Sequence, residues 1–583
     1  MKRFTLAFAL LVTALLLALG FSPLFSRELT LQPAPTLVPP TLVPQQDIAT
    51  GDVLLTESSL VRVQRDSAVR VGLLYNAPPF GTLNVRGEVS GFDADLAKKM
   101  AETWGVKFIP VQVTRQTGVE MLTTSKIDML LGLQTHRRDM DSKVEFSLTY
   151  FAGSESMLVR QDDGAARLAD MVGRKVGYVL GTPAAEAVGL WQQRSGVGIT
   201  LQSFLTIDQA YSALVNNQID GVVDNRVQLM KVIPQAGTGK ILNEVVGPEP
   251  YAIALRRQDV NWRNLINKTL QYLAQKGTLQ DLQKTYLTGL NYSANLIPIW
   301  AGMSTDAPKP GQLPQDVPYP SQYAIPRLQQ AKAIKVAGVT DLPADAPESQ
   351  KRLEATNRAV IEAMAAKWGF RVDYIPNSAA NAVDLVASGQ ADIAIGVPLD
   401  WASADKVDFT AAYLLHGERV MVKKSDDYET FLDLRARIVG IFNTESGAED
   451  RVKALAASAN SGVRIFVINT EQDAAITILS QNNANAVFGD SLKLIAHVQV
   501  NPNDLRLTHR GTNPDVWYSR IYIGMALPRN DIDFRLLVEY TIQELSRSGQ
   551  LQALLGQVLL PEDVPATDIW PGVSDYLGFK LGA

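Results

Sequence analysis

The sequence predicts an α/β protein made of two tandem copies of one module, and three observations carry that reading. The chain has 583 residues, too many for a single core at roughly 100–200 residues per domain. Markers recur along it at a nearly constant spacing. Ala101-Glu102-Thr103-Trp104-Gly105 is echoed by Ala365-Ala366-Lys367-Trp368-Gly369 at an offset of 264. Lys143-Val144-Glu145-Phe146-Ser147 returns as Lys406-Val407-Asp408-Phe409-Thr410 at 263. Val176-Gly177 matches Val439-Gly440 at 263, Thr182 matches Thr444 at 262, and Asp224 matches Asp490 at 266. This is a duplicated unit of about 230–260 residues. Within each copy strand-like runs alternate with helical stretches, the pattern of open, mostly parallel sheets covered by helices on both faces.

In chain order, Lys2 and Arg3 precede an uncharged Leu- and Ala-rich run, and residues 1–26 read as an export signal or an N-terminal membrane anchor. Ala18 and Gly20 are small enough for a cleavage site. Cleaved or retained, the segment places the remainder outside the cytoplasm. Residues 27–59, with Pro33, Pro35, Pro39, Pro40 and Pro44, are expected to form a stiff spacer. The first module spans 60–292. A strand Val69–Leu74 leads to a helix Phe92–Trp104, then a strand Lys107–Val113, a helix Gly118–Thr124 and a buried strand Ile127–Leu131. The rhythm repeats from Lys175 to Val223, and Tyr251–Leu255 precedes a helix Asn261–Lys276. A second proline-rich linker covers 293–322, the second module 323–562 and a tail 563–583.

Composition narrows the chemistry. Lys+Arg 55 against Asp+Glu 60 gives a net charge of −5 with no long basic run, which argues against a nucleic-acid partner. With no cysteine there are no disulfides, thiolate nucleophiles or Cys zinc sites. His136, His416, His497 and His509 share no metal-ligand spacing, so no metal and no cofactor is expected.

Ligands of such sheets sit beyond the carboxyl ends of strands, and four groups lie there. In Val179-Leu180-Gly181-Thr182-Pro183, Thr182 is an N-cap candidate and Pro183 fits the first helical position. The N–H groups of that turn favour an anion, although a plain capped helix uses the same residues. Asp224 ends an apolar strand, where it either meets a ligand ammonium or caps the helix starting near Arg226. Thr135-His136-Arg137-Arg138 offers an arginine fork for a carboxylate, or a solvated turn. Tyr75, Phe80 and Phe92 are aromatic walls or core. Together they supply an acid, a base and a helix N-terminus, as a zwitterion requires.

These residues resemble the extracellular solute-binding proteins of family 3, the amino-acid-binding components of ABC importers. The resemblance runs through Pro79-Phe80, Gly91-Phe92-Asp93-Ala94-Asp95-Leu96, Lys143-Val144-Glu145-Phe146-Ser147, Gly181-Thr182 and Val222-Val223-Asp224, and covers both copies. It implies two tandem type II periplasmic-binding-protein clamshells, each of two α/β lobes joined by hinge strands. It implies that Asp224 takes the α-ammonium, Thr182 the α-carboxylate, and Tyr75 and Phe80 the side chain. Arg137 and Arg138 both qualify for the family's carboxylate-binding arginine, and the Thr-x-x-Arg pattern favours Arg138. The second copy keeps Thr444 and Asp490, but Ser403 stands where the arginine is expected and Ala355-Thr356-Asn357 replaces Gly-Phe-Asp. Loss of a guanidinium contact is worth on the order of 1.5–3 kcal/mol, so the second copy is expected to bind no standard amino acid tightly. The implied partners are an amino acid and a membrane ABC permease, with no enzymatic role. A tethered sensing or scaffold protein is the alternative, and a periplasmic dehydratase of the same fold a further one.

Overall fold

The computed structural model describes residues 57–233, 238–288, 297–314, 319–320, 322–376, 381–509, 516–574 and 577–579. The export segment and nearly all of the first proline-rich stretch lie outside these residues. Each copy contains two sheets whose five main strands follow the same order; the first sheet of the second copy has a sixth strand, Leu414–His416, paired to Ile521–Pro528. In the first copy one sheet runs Lys107–Gln112, Ala68–Leu73, Met129–Leu130, Ala254–Arg256, Val144–Phe146. The other runs Thr200–Phe204, Lys175–Val179, Gly221–Asn225, Phe151–Arg160, Gly239–Tyr251. The sheets are mixed rather than mostly parallel, because the last two strands of each sheet make antiparallel pairings. The reason is the hinge: Phe151–Arg160 leaves the first lobe and Gly239–Tyr251 returns to it, paired antiparallel from Tyr251↔Phe151 to Gly239↔Arg160.

Local chemistry sets the element ends. The helix Phe92–Trp104 starts after Gly91, with Asp93 and Asp95 favouring its positive end, and stops at left-handed Gly105. The second copy stops its helix Glu348–Trp368 the same way at Gly369. Each indole is buried and needs an acceptor. Trp104 Nε1 donates to Thr269 Oγ1 and Trp368 Nε1 to Thr541 Oγ1, both at 2.8 Å. Asp93 is a core anchor, accepting from Tyr150 OH at 2.8 Å and Leu133 N–H at 3.0 Å. In the second copy Tyr413 OH donates to Asn357 at 2.6 Å, so the altered motif keeps the same anchor.

The two copies pack about a pseudo-two-fold axis. Helices Val260–Gln275 and Ile532–Arg547 carry its centre. Arg263 pairs with Glu145 of its own copy and Asp408 of the other, and Arg535 reaches back to Glu145 at 2.7 Å. All four are buried. The expected linker and tail are not free spacers. Ile299-Trp300-Ala301-Gly302 and Ile569-Trp570-Pro571-Gly572 form a further repeat, and each docks on the opposite copy. Trp300 N–H donates to Gln271 and Trp570 N–H to Gln543, both at 3.1 Å. Trp300 packs on Trp401, with ring centroids 4.6 Å apart, and on Phe409; Trp570 stacks on His136 at 3.6 Å, itself stacked on Phe146. Trp401 N–H donates to Ala301 O at 3.0 Å and Arg138 N–H to Pro571 O at 2.9 Å. Glycine is required at the arm tips: Gly302 and Gly572 have φ of +70° and +91°, and a Cβ at Gly302 would lie 2.7 Å from Asp400 Oδ1. This reciprocal arrangement is an isologous interface inside one chain.

Candidate functional site

The first cleft lies where the strand Gly221–Asn225 ends against the hinge strands. Asn225, not Asp224, caps the following helix: its side chain accepts from Val227 N–H at 3.0 Å. Its amide also donates to Glu249 at 2.9 Å and to Tyr251 OH at 2.6 Å. The Tyr251 hydroxyl in turn donates to Glu249 at 3.1 Å. Asp224 is thereby released from capping and accepts from Asn225 N–H at 2.7 Å. Burial pushes its carboxyl up to about 6, with Glu249 adding to the rise and Arg115 opposing it. Glu155, on the outgoing hinge strand, is 1% exposed, and neither of its carboxylate oxygens has a hydrogen-bond partner. Burial first, then Glu249 and Asp224, hold its carboxyl well above the ordinary range, while Arg115 again pulls it down.

Arg115 follows the strand Lys107–Gln112 of the opposite lobe, so the charge of one lobe acts on the carboxyls of the other. The lobes also touch directly: Gln228 Nε2 donates to Pro78 O at 2.8 Å, and Arg137 pairs with Glu186 at 2.5 Å. A small cavity of about 30 Å³ remains at the hinge side, lined by Thr135, Arg137, Glu155, Glu186 and Glu249 and by Pro571 of the second copy's arm.

Several sequence expectations are corrected here. Arg138 does not enter the cleft: it is 1% exposed, donates to Gln543 at 2.9 Å and lies over the Tyr540 ring, inside the interface between copies. Phe80 is fully buried and packs edge-on against Phe92, Phe151 and Tyr251, so it is core rather than a ligand wall. Phe92 belongs to the same core. Tyr75 is half-buried at the rim of that core. Thr182 does not cap the helix Ala184–Ser195. Pro183 holds the cap position and the Thr182 hydroxyl donates to Val179 O at 2.8 Å, though Thr182 stays half-buried at that helix end.

Sheet register also changes which residues correspond between copies. Val176 pairs with Gly221 as Val439 pairs with Ala486, so Asp490 stands opposite Asn225, and Gly489 opposite Asp224. Like Asn225, Asp490 caps its helix, accepting from Leu492 N–H at 2.9 Å. Thr182 N–H closes a turn on Val179 as Glu445 N–H does on Phe442, which places Glu445, not Thr444, opposite Thr182. Lys143 N–H bonds Met140 O as Lys406 N–H bonds Ser403 O, so Met140 occupies the first copy's Ser403 position. Neither copy has an arginine there.

In the second cleft each acid has a basic side chain as partner. His416 Nδ1 meets Asp490 at 2.6 Å, Arg451 pairs with Glu418, and Lys493 bridges Glu445 at 2.9 Å and Thr444 Oγ1 at 3.1 Å. Thr444 and Asp490 thus belong to one polar cluster, and Asp490, Lys493, Arg451, Glu418 and Ser349 line a cavity of about 570 Å³. Among the described residues, no group of three or more His, Asp or Glu side chains is placed to hold a metal ion.

Two lobes on hinge strands, repeated twice, with a charged cleft at strand ends, agree with the sequence family. The chain belongs to the bacterial extracellular solute-binding proteins, family 3, whose model matches residues 69–289 and 343–559. Among curated relatives, a glutamine-binding protein of Geobacillus stearothermophilus is 26% identical over 217 residues, 36% of this chain and 81% of the relative. The L-cystine-binding protein TcyJ of Escherichia coli (strain K12) is 24% identical over 234 residues, 40% of this chain and 86% of the relative. The histidine-binding periplasmic protein of Salmonella typhimurium is 25% identical over 229 residues, 37% and 86% respectively. Among solved structures, an ancestral amino acid-binding protein, a precursor of cyclohexadienyl dehydratase, is 25% identical with a TM-score of 0.34, covering 40% of this chain and 100% of that one. The curated relatives named here are binding proteins.

Proposed function

We propose that this chain is an extracytoplasmic solute-binding protein whose first clamshell captures an amino acid or similar small zwitterion for an ABC-type permease. The observation that supports it most is Asp224 itself, a buried carboxyl at a strand end that Asn225 leaves free of capping, with the charge of Arg115 from the other lobe acting on it. Asp224, freed from capping by Asn225, takes the ammonium. Arg115, with the half-buried Thr182 at the helix end, takes the carboxylate. A ligand touching both lobes favours the closed state, which is a population shift and not catalysis. Calorimetry of Asp224→Ala against an amino-acid panel tests this: loss of binding is expected, and unchanged affinity removes Asp224 from the site.

A tethered sensing or scaffold role is the second reading. It is favoured by the second cleft, whose acids are satisfied by its own cations, and by an interface that joins the copies through exchanged arms. Mass spectrometry of the mature N-terminus separates the two. Cleavage near Gly20 fits a free carrier, and retention of residues 1–26 fits a tether.

A further inference from the structure

We infer that the ligand of the first clamshell is a small organic cation of net positive charge, an aliphatic ammonium or guanidinium compound whose second positive group is held by Glu155 and Glu249. The inference rests on the proposed binding role of that clamshell and goes beyond it by assigning the ligand's charge.

Three carboxylates converge where the hinge strands enter the first cleft: Glu155, Asp224 and Glu249 are each under 5% exposed. Their charges act on one another, and the charge of Arg115 opposes the rise at both Glu155 and Asp224. Arg137 is already paired with Glu186 and Asp139. Glu249 is satisfied by Asn225 and Tyr251. Glu155 is not: it is buried, lines the hinge-side cavity and meets no N–H group, and the group beside it is the Glu249 carboxyl, which raises its own. A buried carboxylate without a donor is costly, and such sites are completed by a cation or a proton.

The second copy supplies an internal control. Glu418 faces Asp490 across the sheet as Glu155 faces Asn225, so Glu418 and Glu155 occupy the same place. There the protein provides its own cation, because Arg451 pairs with Glu418 and His416 with Asp490. The first copy has no such partner at Glu155 and instead gathers more acid, in Asp224 and Glu249. Acid retained at a position without its cation points to a cation brought by the ligand. Without a cation burial holds these carboxyls toward their protonated forms, and a cationic ligand is what lets them ionise.

Calorimetry on the full chain with L-lysine, L-arginine, L-glutamine, L-glutamate and cadaverine tests the assignment. Lysine or arginine is expected to bind at least tenfold tighter than glutamine, with glutamate weakest, and Glu155→Gln is expected to shrink that preference about tenfold. Cadaverine binding while no amino acid binds upholds the cation site but overturns the amino-acid reading. Glutamine or glutamate binding as tightly as lysine overturns the cation site and leaves amino-acid capture standing. Silence of the whole panel overturns both. The wild-type ranking decides the matter even if Glu155→Gln fails to fold.

Discussion

Asp224 illustrates how a binding residue is kept ready at a thermodynamic cost. Its carboxyl is pushed up from the ordinary aspartate value of 3.8 to about 6, mainly by burial. A group whose pKa is raised on folding favours the protonated form in the native state. It stabilises the fold below its unfolded pKa, and that contribution is lost as pH rises through about 6. Asp224→Asn removes the penalty, so ligand-free protein should gain up to about 3 kcal/mol at pH 7.5 and almost nothing at pH 3.5. Urea denaturation at the two pH values checks this, and an equal effect at both would contradict it. The same residue shows what letters alone conceal. Asp224 and Asp490 look like counterparts in sequence, yet the register sets Asp490 against Asn225, and a one-residue slip in a strand turns a side chain to the other face. Glu155 and Glu249 escaped notice because a glutamate in a strand normally points to solvent. Arg115 escaped it because the turn that carries it has no motif.

At the scale of elements, helices and strands were legible from hydrophobic runs and turn residues and the duplication from the repeat itself, while the hinge came with the family resemblance. The exchanged arms were not. Ile-Trp-x-Gly is short, recurs after 270 residues, and sits in stretches whose proline content reads as spacer. Arg138 was misplaced for a related reason: its partners Gln543 and Tyr540 belong to the other copy, and no local pattern announces them. The arms make a testable claim about packing. Trp570 is 7% exposed between His136 and Tyr540, so Trp570→Ala should cost about 3–5 kcal/mol through the cavity it leaves. At the axis, Arg263→Ala takes the paired cation from buried Asp408, while Glu145 keeps Arg535, and should cost a similar amount, about 3–5 kcal/mol. Chemical denaturation of the full chain measures both, and a loss below about 1 kcal/mol would show that the copies do not depend on these contacts.

The whole molecule is a dimer written into one chain. Symmetric packing leaves the two copies free to diverge in their clefts while the shared interface holds both in place. The first cleft gathers Glu155, Asp224 and Glu249 with no ion pair to any of them among the described residues, and the second pairs each acid with a basic side chain of its own. This asymmetry implies one occupied site per chain. Titration calorimetry of the full-length protein with its best amino-acid ligand tests that most directly. One mole bound per mole of chain, abolished by Asp224→Ala and retained in Asp490→Ala, is the result this account predicts. Two moles bound, or a single site lost in Asp490→Ala and kept in Asp224→Ala, would contradict it.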